Sequence, residues 1–131
     1  MTCLDTDFLV SLMRGDENST QRLTKLEERR ELLTTTSINV AELLKGAYSS
    51  ENPKKEMLKV DMYLDALEIL DFDYESAEIF SKIWNRLKKK GDIIPDFDIL
   101  IASIAIENNE ILLTKNIKHF KKIKELKLES I

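Results

Sequence analysis

From Ile99 to Ile106 the chain carries no charged residue, and the run is preceded by Ile93-Ile94-Pro95-Asp96-Phe97-Asp98. Proline is tolerated in the first turn of a helix and not further in, so Pro95 marks a helix start. A helix that is apolar on every side belongs inside a domain. Two carboxylates therefore stand at the entrance of a buried helix. Capping explains Asp96 as an N-cap, and the positive end of the helix dipole suits Asp98. Two close like charges repel unless something positive lies between them. What decides their meaning is whether other acids arrive at the same place.

The rest of the chain alternates strand-like and helix-like segments. Thr2-Cys3-Leu4-Asp5-Thr6 reads as a short strand with Asp5 at its carboxyl end, and Asp7 is placed to cap a helix through Phe8–Met13 that closes near Gly15. A polar helix is expected from about Glu17 to Arg30, and Leu32–Thr36 is β-rich. Ser37 then caps a helix whose apolar stripe is Val40, Leu43, Leu44 and Ala47. That periodicity puts Glu42 on the solvent side. Asn52-Pro53 begins another helix, Leu67–Phe72 reads as a strand, and Tyr74 to Lys90 is an amphipathic helix ending at Gly91. Its closing Lys88-Lys89-Lys90 suits the negative end of a helix dipole. Beyond the apolar helix, Ile111–Thr114 is a buried strand, 115–120 a loop and short helix, and Leu126–Leu128 an edge strand.

Alternating strands and helices imply parallel βαβ units. The expected fold is α/β: a three-layer α/β/α sandwich around a mainly parallel sheet of four or five strands, with residues 1–131 as one domain. Such sheets place their sites at the carboxyl ends of the strands. Asp5, Glu42, Asp96, Asp98 and Asn116 are then expected at one edge.

Composition narrows what that edge can do. With one Cys and one His there is neither a zinc pattern nor an internal disulfide. No Gly-rich phosphate loop and no nucleophile elbow is present. No apolar run is long enough to cross a membrane, and no export signal is visible, so a cytoplasmic protein is expected. The net charge of −4 does not describe a general nucleic-acid binder. The charge is uneven, though: residues 115–131 hold six Lys against two Glu, a net of +4, which leaves −8 on residues 1–114. Clustered carboxylates suit Mg²⁺ or Mn²⁺, which keep several waters and bind phosphate-bearing substrates. Such an ion activates water and neutralises charge on a phosphodiester. The chemistry suggested is phosphodiester hydrolysis.

Four segments in order, Leu4-Asp5-Thr6, Ser37-Ile38-Asn39-Val40-Ala41-Glu42-Leu43, Pro95-Asp96-Phe97-Asp98-Ile99-Leu100-Ile101-Ala102, and Leu112-Leu113-Thr114-Lys115-Asn116 with His119-Phe120, resemble a PIN domain. Their order, spacing and the chain length are similar to those of the VapC toxins of prokaryotic toxin–antitoxin pairs. The resemblance implies a Mg²⁺- or Mn²⁺-dependent ribonuclease, with Asp5, Glu42 and Asp98 as its metal-binding acids and Asp96 as an extra one. Asn116 falls where many members carry a fourth acid. Thr6, Ser37, Thr114 and Asn116 would orient the acids. Lys115, Lys118, Lys121 and Lys122 are placed to hold an RNA backbone, and His119 to pack or cap its short helix. The resemblance also implies a homodimer and a small antitoxin partner.

Two other readings fit parts of the chain. Asp5-Thr6-Asp7 after a strand resembles the first motif of haloacid-dehalogenase-type phosphatases, with Asp5 as nucleophile and Asp7 as acid. Asn116 in place of an acid also fits a non-catalytic binding module on an old nuclease fold.

Overall fold

A computed structural model describes residues 1–131. In chain order the elements are β1 (Thr2–Leu4), α1 (Thr6–Met13), α2 (Glu17–Glu28), β2 (Leu33–Thr36), α3 (Ser37–Tyr48), α4 (Pro53–Leu64), β3 (Glu68–Leu70), α5 (Tyr74–Lys90), α6 (Asp96–Glu107), β4 (Ile111–Thr114), α7 (Ile117–Phe120) and β5 (Lys127–Ser130). The five strands form one sheet in the order β3-β2-β1-β4-β5, and every pairing is parallel.

Successive side chains of a strand point to opposite faces, and here that alternation divides the core. Cys3 and Leu112 pack with Ile83, Leu87, Ile99, Ile101 and Phe120 on the side of α5, α6 and α7. Leu4 and Leu113 pack with Phe8, Leu12, Leu26, Leu43 and Val60 on the side of α1 to α4. The register pairs Cys3 with Leu112 and Leu4 with Leu113, so each layer receives residues from both central strands. α6 meets the expectation of a buried helix, with Ile101, Ala102, Ile104 and Ala105 wholly inaccessible.

The strand order positions the site. From β1 the chain winds outward through β2 to β3, then returns to add β4 on the other side of β1. The crevice between β1 and β4 is therefore the switch point of the sheet, where ligands bind in folds of this kind.

Several helix ends differ from expectation. Pro95 is the N-cap residue of α6, and Asp96 is its first helical residue. Asp5, not Asp7, occupies the N-cap position of α1, with extended backbone and no side-chain capping bond. Thr36, not Ser37, caps α3, through a reciprocal pair of bonds with Asn39. A cap needs an extended backbone before the helix, and the end of β2 supplies it at Thr36.

Candidate active site

The amide of Asp5 donates to the carbonyl of Leu113 at 3.0 Å, which sets Asp5 beside Thr114 at the carboxyl ends of the two central strands. Freed from capping, the Asp5 carboxylate accepts from Thr114 Oγ1 at 2.6 Å through one oxygen and from Asn39 Nδ2 at 3.0 Å through the other. Asn39 is wholly buried. Its amide also donates to Thr6 Oγ1 at 2.9 Å, and its Oδ1 accepts from the Thr36 hydroxyl at 2.7 Å. Thr6 Oγ1 in turn donates to Glu42 Oε1 at 2.6 Å. A chain of hydrogen bonds thus runs from the cap of α3 to two acids.

Asp98 enters from the first turn of α6. Its carboxylate lies 2.8 Å from His119 Nδ1, which also lies 2.8 Å from the side-chain amide of Asn116. A carboxylate only accepts, so Nδ1 must carry the hydrogen to bond Asp98, and it then has no lone pair for the Asn116 Nδ2 that faces it. Asp7 accepts the backbone N–H of Lys115 at 3.1 Å.

These groups surround a polar cavity of about 470 Å³ lined by Asp5, Asp7, Glu42, Asp98, Lys115 and Asn116 among others. Asp5 is 6% exposed. Burial pushes its pKa up to about 7, the hydrogen bond from Thr114 opposes the rise, and the charge of Asp7 adds to it. An all-oxygen set of crowded carboxylates, one of them desolvated, fits a hard divalent cation. No three of the cavity acids bring ligand oxygens within 4.8 Å of one another. The one group of three acids that does close to that distance is Asp73, Glu75 and Glu107. It is a surface cluster at the far end of α6 from Asp98 and takes no part in this cavity.

Of the residues expected here, Asp5, Thr6, Glu42, Asp98, Lys115 and Asn116 line the cavity, and Thr114 braces Asp5. Asp96 does not join them. It is exposed, and its carboxylate accepts from the Trp84 indole N–H at 3.2 Å. Residues two apart on a helix project about 200° from each other, so Asp96 and Asp98 cannot share one cavity. Ser37 makes no hydrogen bond to the acids, because Thr36 took the capping position one residue earlier. Lys118 and Lys121 are exposed, and Lys122 approaches Asp92 at 3.7 Å. His119 contacts Asp98 rather than only packing or capping α7.

Glu42 departs from its expected solvent position. The buried residues of α3 are Asn39, Leu43 and Ala47, a stripe rotated from the apolar one because it contains a polar residue. Glu42 flanks that stripe, three residues after Asn39. Sequence reasoning also gave no site role to Asn39, Ser11 or Arg14. The available signal for Asn39 was its spacing of three from a threonine that ends a β-rich run, which is the spacing of a capping box.

The PIN domain family model matches residues 2–126. Ribonuclease VapC2 of Rickettsia felis is 35% identical over 127 residues, which cover 97% of this chain and 95% of that protein. The tRNA(fMet)-specific endonuclease VapC of Salmonella typhimurium is 26% identical over 126 residues, covering 96% and 94%. Among solved structures, VapBC2 from Rickettsia felis bound to a DNA fragment from its promoter superposes with a TM-score of 0.92 at 34% identity, covering 99% of this chain and 98% of that one. The dehalogenase-type alternative gives way to this match. Both oxygens of Asp5 are also engaged by donors, which a nucleophile would need to shed.

Proposed function

Because this chain belongs to the PIN domain family and to its VapC branch, we propose that it is a divalent-metal-dependent endoribonuclease, a toxin held in check by a small antitoxin. The observation that carries the reading is the convergence of Asp5, Glu42 and Asp98, from three separate elements, on one cavity at the sheet's switch point. The similarity to proteins named ribonuclease and endonuclease supports the activity. The similarity to a VapBC complex supports the partner.

In this reading Asp5, Glu42 and Asp98 hold Mg²⁺ or Mn²⁺. Such an ion, when bound, supplies Lewis-acid chemistry and a water acidic enough to attack at neutral pH. The protein's share is orientation. Thr114 and Asn39 fix the two oxygens of Asp5, Thr6 fixes Glu42, and His119 turns Asp98 toward the cavity. Asn116 adds a polar side chain without charge, which weakens the case for a second tightly held ion. Lys118 and Lys121 offer exposed positive charge to an RNA backbone. Residues 1–131 act as a single domain, and the active species is a homodimer.

The test is Mn²⁺-dependent cleavage of structured RNA. Wild-type protein is expected to cleave, EDTA to stop it, and Asp98→Asn to abolish it while the circular dichroism spectrum is unchanged. Activity that survives EDTA or the substitution removes the metal mechanism. A wild-type protein that binds a protein partner but neither Mn²⁺ nor RNA is the non-catalytic module instead.

A further inference from the structure

The cavity is not lined by acids alone. Arg14 and Lys115 line it as well, on the side formed by α1. Neither takes part in an ion pair, although four carboxylates line the same space. Lys115 is held in another way. Its Nζ donates to Ser11 Oγ at 2.6 Å, and Ser11 is 9% exposed. Ser11 and Arg14 are three residues apart at the end of α1 and so lie on one face. Asp16 feels the charge of Lys115 without closing a bridge to it.

The negative end of the α1 dipole explains a cation at position 14. It does not explain why that cation is unpaired beside acids, nor why a second one is tethered by a nearly buried hydroxyl. A tethered ammonium and an unpaired guanidinium lining one cavity form a place for an anion. A guanidinium fork and an ammonium together match the oxygens of a phosphodiester. Arg14 also borders the neighbouring cleft of about 590 Å³ between α1, α3 and α4, so an anion at Arg14 lies between the acids and open surface.

We propose that Arg14 and Lys115, with Ser11 holding the lysine in place, form a phosphate-binding subsite that grips the RNA backbone next to the acidic cavity. The subsite rests on the ribonuclease reading. Its residues bind and position the strand rather than act on the reacting atoms. By opposing the carboxylates they admit a polyanion to a cavity that would otherwise repel it.

The test uses the full chain carrying Asp98→Asn, in EDTA, with a short fluorescein-labelled single-stranded RNA as the probe and anisotropy read over a range of salt. Adding Arg14→Ala or Lys115→Ala is expected to weaken binding about tenfold each. Each is expected to reduce the slope of log affinity against log salt by about 0.7. Arg14→Lys keeps the slope and recovers only part of the affinity, because it restores the charge and not the fork. Ser11→Ala loses less than either. Unchanged affinity and slope in both alanine variants, or no RNA binding by the parent, overturns the subsite. In the chain with Asp98 intact, Arg14→Ala is expected to raise KM for RNA more than it lowers kcat. Wild-type cleavage with KM unaltered in Arg14→Ala defeats the subsite alone. Absent cleavage with Arg14-dependent RNA binding defeats the nuclease reading alone.

Discussion

Two carboxylic acids are buried in this fold, and they sit at opposite ends of the same pair of strands. Asp5 follows β1 at the carboxyl end of the sheet, and Glu110 precedes β4 at the amino end. Burial raises the pKa of both. Their surroundings differ. Asp5 has a donor on each oxygen and opens onto a cavity. Glu110 is 1% exposed, accepts from Thr34 at 2.6 Å through one oxygen, and leaves Oε2 without a partner. The same penalty is braced at one end and left standing at the other. The contrast separates the acid proposed for chemistry, which opens onto a cavity, from one that faces only the interior.

The comparison breaks if the bracing of Asp5 is ornamental. Asn39→Leu removes donors from Asp5 and Thr6 and an acceptor from Thr36, so it is expected to cost about 3 kcal/mol or more in urea denaturation. A loss below about 1 kcal/mol contradicts the network. Thr114→Val keeps the shape but removes the hydroxyl that serves Asp5 and accepts from the Asn116 amide at 2.9 Å. Its expected cost is about 2 kcal/mol by the same measurement.

Glu110 sharpens the comparison from the other side. Glu110→Gln removes a buried charge and is expected to stabilise the protein by about 1 kcal/mol at pH 8. The sign follows from linkage. Folded Glu110 keeps its proton above the ordinary value of 4.5, so its favourable contribution is full below that value and is lost as pH rises through the folded pKa. The gain should therefore shrink toward zero by pH 4, and a gain that grows on acidification contradicts the assignment. As a surface reference, Arg86 pairs with both oxygens of Glu125 at 2.7 and 2.8 Å on the outside of α5. Arg86→Ala should cost only about 0.5 kcal/mol.

Sequence periodicity was sufficient where a helix or strand is sorted by hydrophobicity. The buried α6, the amphipathic α5 closed at left-handed Gly91, and the strand Ile111–Thr114 all form as the pattern requires. The parallel sheet followed from the alternation of elements, but the strand order β3-β2-β1-β4-β5, and with it the meeting of Asp5 with Thr114, did not. What the pattern could not carry was polar burial. Asn39 fills a core position because hydrogen bonds satisfy it, and its presence turns α3 so that Glu42 faces Thr6. Asp96 and Asp98 look alike in the chain, yet the turn of the helix sends one to Trp84 and the other to the cavity.

The most direct measurement is anomalous scattering from crystals grown with Mn²⁺. The account predicts a peak in the cavity bounded by Asp5, Glu42 and Asp98, lost in Asp98→Asn. A peak only at Asp73, Glu75 and Glu107, or no peak at saturating Mn²⁺, contradicts it.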